Sequence, residues 1–201
     1  MTRSQAARQE RMLDVASRLA GDGGFDNVQM RAVAAEAEVA LGTLYRYFPS
    51  KEHLLVSAML RQISNLSGRL TLRPAVGDEP VDRVVDVIRR ANSALQRQHD
   101  FTVAVVRALA SGDETVAPVV REVREEMSSI IVDAIGPPPR SERDRLVAKV
   151  LQEVWLSALV AWISGVEPAA SVTETLSEAA ILLLGDQAPA PVSAVAPGVG
   201  R

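Results

Sequence analysis

Met12, Val15, Ala16 and Leu19 stand three, four and seven positions apart, which puts all of them on one side of a helix, and the glycine-rich GDGG that follows ends it. The pattern predicts a first helix from about Gln5 to Ala20. Met30, Val33, Ala34 and Ala37 repeat the spacing. A short helix over Leu41 to Tyr47 follows, halted at Phe48 because the residue before Pro49 avoids helical dihedrals; Ser50 then caps a longer helix to about Leu70. Farther on, the breakers RPAVGDEP, SGDET, GPPPR and SGVEPAAS separate helix-length blocks near Val81 to Gln98, Phe101 to Ala110, Ala117 to Ala134, Ser141 to Ile163 and Val172 to Leu184. No block alternates with a period of two, so the expected fold is all-α with about nine helices. The Ala/Pro/Val/Gly stretch over residues 188–201 is expected to be disordered.

The second and third predicted helices, joined by Ala37 to Val39, have the proportions of a helix-turn-helix, whose second helix is the reader of DNA. On it Leu41, Leu44 and Phe48 turn inward, Thr43, Arg46 and Tyr47 turn outward, and Tyr45 falls at the edge of the inward face. Gly42 lets a phosphate approach closely. The stretch GTLYRYFPSKEHLL holds both tyrosines of the chain, and tyrosine hydroxyls on rigid rings donate to a phosphate backbone at little entropic cost. Lys51, at the start of a helix, opposes the helix dipole unless a phosphate sits there, held by the lysine and the free backbone N–H groups together. Arg3, Arg8 and Arg11 can reach flanking backbone or a minor groove. Interspersed acidic residues keep this segment from being basic overall.

Composition narrows the chemistry. The 201 residues are 47% hydrophobic, carry a net charge of −3 and include no cysteine, so disulfides, cysteine metal sites and thiol nucleophiles are excluded. His53 and His99 have no neighbouring ligands for a metal. No Ser/His/Asp spacing, paired carboxylates or phosphate loop points to an enzyme, and no cofactor is expected. The most apolar run, Val154 to Val166, is shorter than the ~18 residues of a membrane-span candidate, so a soluble cytoplasmic protein without a membrane partner is expected. The acidic REVREEM, Arg121 to Met127, reads as a solvated helix face.

The last two predicted helices are apolar on more than one side. Trp155 and Trp162 stand one heptad apart among Leu146, Val150, Leu151, Val154, Leu159, Val160 and Ile163, and Leu176, Ala179, Ala180 and Leu183 form a stripe on the final helix. Such helices must bury a second face against something, and another copy of the same pair is the simplest partner. Leu176, Ala180 and Leu183 are the residues expected to dimerise.

The run VQMRAVAAEAEVALGTLYRYFPSKEHLL resembles the DNA-binding domain of the TetR family of transcriptional regulators, whose pattern ends in Gly-Thr-Leu-Tyr-x-x-Phe-x-Ser-Lys-x-x-Leu. The resemblance implies DNA contacts from Thr43, Tyr45, Arg46, Tyr47 and Lys51. Met30 replaces a usual threonine, leaving its contact to Gln29 or Arg31, and Glu38 replaces a usual glycine in the turn. QMRAVA, GTLYRYFPSK, HLLVSA, VWLSALVAWISG and LLLGDQ further resemble family members that repress steroid and cholesterol catabolism and respond to coenzyme A thioesters. That likeness implies a dimeric repressor on an inverted-repeat operator in double-stranded DNA, with residues 1–50 reading DNA and residues 51–187 holding a small hydrophobic effector, such as a steroid coenzyme A thioester. An apolar cavity lined by Phe101, Val105, Leu109, Met127, Trp155 and Leu159 suits a steroid slab, and Arg97 or Arg107 at its mouth suits the phosphates. A family member with another hydrophobic effector, such as a regulator of efflux, and a helical acyl-CoA-binding protein without DNA binding are the alternatives.

Overall fold

A computed structural model describes residues 3–185; the expected disordered tail lies outside the described residues. Among these residues the chain forms helices and no strand: α1 (Arg3–Asn27), α2 (Met30–Glu36), α3 (Leu41–Tyr47), α4 (Lys51–Leu72), α5 (Pro80–Arg97), α6 (His99–Leu109), a 3-10 turn over Glu114–Val116, α7 (Ala117–Ile135), α8 (Glu142–Ile163) and α9 (Ala169–Leu184). The nine α-helices follow the sequence pattern closely.

The first helix departs from expectation in an informative way. The glycines kink it instead of ending it: Gly24 has φ 68, a conformation that costs glycine nothing, and a final turn carries the chain on to Asn27. Asn27 Nδ2 closes the kink by donating to the Leu19 carbonyl at 2.9 Å. Phe25 is thereby turned back toward α4 and α6.

The long α4 is the spine. Ser50 caps it as expected, its hydroxyl accepting from the His53 N–H at 3.0 Å. Leu54, Leu55, Val56, Ala58, Ile63 and Leu66 are buried against α1, α6 and α7. Each fully buried leucine contributes about 1.5–3 kcal/mol. Arg61 ties the helix to α1, reaching Asp14 at 2.6 Å and Glu10 at 3.0 Å. Farther along the chain, α5 packs on α7 and α9, and α8 packs on α7 and α9. One helix thus begins beside the helix-turn-helix and ends among the C-terminal helices.

Candidate nucleic-acid interface and cavity

The turn between α2 and α3 carries a strained residue. Glu38 has φ 55, the left-handed region, where an L side chain costs about 1–2 kcal/mol. Glycine would fit there without strain, which explains why glycine is usual at this position. Behind the turn, Arg11 Nε reaches the Ala37 carbonyl at 3.5 Å and Arg18 pairs with Glu36, so α1 braces the motif.

On α3 Leu44 and Phe48 are buried, and Leu41 packs partly against the same core. Arg46 is exposed and Thr43 half-exposed on the opposite side, and Arg31 is exposed on α2. The tyrosines exchange the degrees of exposure expected for them. Tyr45 is 46% exposed, whereas Tyr47 leans on the core with its ring centroid 6.3 Å from that of Phe48. The Arg46 guanidinium carbon stands 5.8 Å from the Tyr47 centroid. Tyr47 precedes Phe48 at the end of a two-turn helix, and the buried phenyl draws its neighbour in. At Gly42 an added Cβ would meet nothing within 4 Å among the described residues, so their packing does not require glycine there.

Lys51 does not extend freely into solvent. Its Nζ lies 3.8 Å from the Phe25 ring centroid and donates to the Phe25 carbonyl at 3.3 Å. Arg107 also stacks on this ring, 4.3 Å from its centroid, and donates to Asp26 at 2.9 Å. A phosphate contact from Lys51 has to compete with Phe25. A second link joins the start of α4 to the turn after α6: the Ser50 and Thr115 hydroxyls are 3.0 Å apart, and hydrogen bonds from Ser50 and Thr115 hold the Asp113 carboxyl below its ordinary pKa. His53, half-buried beside Phe48, has its pKa lowered by desolvation.

Between α4, α5, α6, α7 and α8 lies a cavity of about 1410 Å³. Phe101, Val105, Leu109, Met127, Trp155 and Leu159 all line it. Its size exceeds the roughly 300–1,000 Å³ of an ordinary small-molecule site. The Trp155 indole N–H donates to Asn92 Oδ1 at 2.8 Å, and Asn92 Nδ2 donates to Thr173 of α9 at 3.1 Å. Sequence reasoning missed Asn92. Its signal was a polar residue in register with Val84, Val87, Ile88 and Ala91, at a position that has to be buried. Of the two arginines expected at the mouth, Arg97 lines the cavity. Arg107 does not, being held by Asp26 and Phe25 on the side of α6 that faces α1.

Residues 12–58 match the family described as bacterial regulatory proteins, tetR family, and residues 77–183 match the tetracyclin repressor-like C-terminal domain. The chain belongs to the TetR family. It is 39% identical over 184 residues to the HTH-type transcriptional repressor KstR of Mycobacterium tuberculosis, which spans 92% of this chain and 84% of that protein. A TetR transcriptional regulator from Rhodococcus sp. RHA1 shares the fold with a TM-score of 0.83 and 32% identity, over 92% of this chain and 99% of that one. FadR of Thermus thermophilus, a TetR-family repressor solved in complex with lauroyl-CoA, shares the fold at a TM-score of 0.69 and 21% identity, over 91% of this chain and 98% of that one. As a TetR-family regulator the chain binds DNA, dimerises and is not an enzyme.

Two of the three residues expected at the dimer face, Leu176 and Ala180, need correction. Leu176 and Ala180 are fully buried inside the protomer, where α9 packs on α5 and α8, and Leu183 is half-buried. The stripe of α9 that looks outward holds Ile181, 57% exposed, and Leu182, 71% exposed. Leu146, Val150 and Val160 are exposed on α8. A second expectation also changes. The apolar run Val154 to Val166 overlaps the 22-residue α8 as far as Ile163, and α8 as a whole is long and apolar enough to span a membrane by length and composition. Its Val147, Ala148, Leu151, Trp155 and Leu159 stripe is nevertheless buried among neighbouring helices.

Proposed function

We propose that this protein is an effector-responsive repressor of genes for steroid or related lipid catabolism, working in the cytoplasm as a homodimer on an inverted-repeat operator. Residues 1–50 read the DNA, residues 51–187 hold the effector and the partner subunit, and a steroid or acyl coenzyme A thioester releases the complex. The observation that carries this reading is the position of α4, which starts next to the helix presenting Thr43, Tyr45 and Arg46 and goes on to wall the apolar cavity with Met59, Ile63 and Leu66. Kinship with KstR and the lauroyl-CoA in the FadR complex support the effector class. An effector that prefers one tilt of α4 by ~2–3 kcal/mol changes operator occupancy tens to hundreds of fold.

In this assignment Arg46 reads a guanine edge, Arg31 and Thr43 flank it, and Tyr45, Tyr47, Lys51 and the Gly42 backbone meet phosphates. In a two-fold dimer the recognition helices stand about 34 Å apart, one DNA turn, or a multiple of it. Fluorescence anisotropy on DNA from upstream of the protein's own gene, compared with random DNA, tests the reading. Arg46→Ala is expected to cost ~1–3 kcal/mol on the operator and little on random DNA. Equal losses on both would move Arg46 to the backbone contacts.

A further inference from the structure

The lining of the cavity is electrically one-sided. Arg69, Arg73, Arg89, Arg90, Arg97 and Arg124 border it, and among the described residues no aspartate or glutamate does. Several of these charges are already engaged. Arg124 pairs with Glu153, and Arg90 pairs with Asp86 while donating to the Arg73 and Pro74 carbonyls at 2.8 and 3.2 Å. The guanidinium groups of Arg69 and Arg73 have no hydrogen-bond or ion-pair partner among the described residues, and Arg89 has only a 3.5 Å contact to Asp86.

These three gather at one end. Arg69 and Arg73 stand at the C-terminal end of α4, about 27 and 33 Å of helix away from Lys51, and Arg89 lines the same cavity from α5, next in the chain to Arg90, which reaches the Arg73 carbonyl. The carbonyls of Arg73 and Pro74, which would repel an anion at this spot, are occupied by Arg90. Leu72 and Val76, both exposed, border the same opening. The opposite end is different. Among the described residues Arg97 is the cation there without a partner, and it also borders a separate groove lined by Asp100 and by Asp22, the latter already paired with Arg18 at 3.1 Å, so that Asp100 is the carboxylate left to offset its field.

We infer that Arg69, Arg73 and Arg89 form an anion subsite for the phosphate-bearing head of the effector, at the end of the cavity away from the helix-turn-helix. The apolar body then runs inward along Phe101, Val105 and Trp155. The inference rests on the effector reading above and adds to it the direction in which the ligand lies. Arginine suits the task, since its planar fork binds phosphate oxygens in pairs and keeps its charge at any physiological pH. Binding at this end places the ligand's charge on the far end of α4, the helix that carries Lys51 at its start.

Isothermal titration calorimetry with the full chain, its Arg69→Gln/Arg73→Gln double variant and its Arg97→Gln variant provides the test. The probes are the coenzyme A thioester of lithocholic acid, its methyl ester and free coenzyme A, with thermal melts to verify folding. The wild type is expected to bind the thioester at least tenfold more tightly than the ester, and free coenzyme A to displace the thioester. The double variant should lose that preference by tenfold or more while holding the methyl ester within twofold, and Arg97→Gln should stay within threefold for both. A larger loss in Arg97→Gln, or equal losses of thioester and ester in the double variant, would overturn the subsite and leave the effector reading intact. A wild-type protein that binds neither the thioester nor the ester would overturn the effector reading itself and the subsite with it.

Discussion

Arg107 of α6 stacks on Phe25 of α1, its guanidinium carbon 4.3 Å from the ring centroid. Lys51 of α4 lies 3.8 Å from the same centroid, so one aromatic ring is shared by cations from two helices. Phe101, Val105 and Leu109 line the cavity from α6, the helix that carries Arg107. A ligand that shifts α6 therefore moves a cation on Phe25, and Phe25 holds the residue at the start of α4.

Removing that contact should uncouple the two ends of the molecule. An exposed cation–π pair is worth about 0.5–1 kcal/mol, a useful fraction of the ~1–3 kcal/mol by which effectors couple to distant sites. Arg107→Ala is expected to bind operator within about threefold of wild type and to need several-fold more effector for release. Operator release curves measure both. Unchanged curves would remove Phe25 from the path.

Gly42 offers a prediction in which stability and function move in opposite directions. A Cβ there meets open space, so Gly42→Ala should raise stability slightly, by about 0.5 kcal/mol, through helix propensity. The same methyl keeps a phosphate from the backbone, so affinity for every DNA sequence should fall. Thermal melts and anisotropy read the two effects separately, and intact affinity would show that no phosphate comes close at Gly42.

Much of this was legible in the sequence, for identifiable reasons. Breakers such as GPPPR mark helix ends by local sterics alone, and all six expected cavity residues line one cavity because bulky apolar residues on α6, α7 and α8 lie on the faces turned toward one another. Which apolar stripe of α9 meets its own protomer was not legible. Leu176, Ala180 and Leu183 are periodic, but so are the residues beside them, and periodicity does not say which stripe finds α5 first. Phe25 could not be read at all, since it follows a glycine kink and belongs to no repeating pattern.

The outward face of α9 leads to a contrast between two substitutions. Leu182→Glu places a charge on an exposed residue and should leave the fold intact while producing monomers with weakened operator binding. Leu176→Glu buries an unpaired charge in the protomer and should destabilise it by several kcal/mol. Sedimentation together with circular dichroism distinguishes the outcomes. A Leu182→Glu dimer of normal affinity would place the interface elsewhere.

Titration of the operator complex shows whether a steroid thioester controls the repressor. Anisotropy of labelled operator DNA is followed as three compounds are added in turn: a steroid coenzyme A thioester, the corresponding free acid, and a straight-chain acyl thioester of similar length. Release is expected with the steroid thioester at concentrations where the free acid and the straight chain have little effect. Equal release by the straight chain would contradict the steroid assignment, and a complex untouched by all three would contradict effector control by this class of ligand.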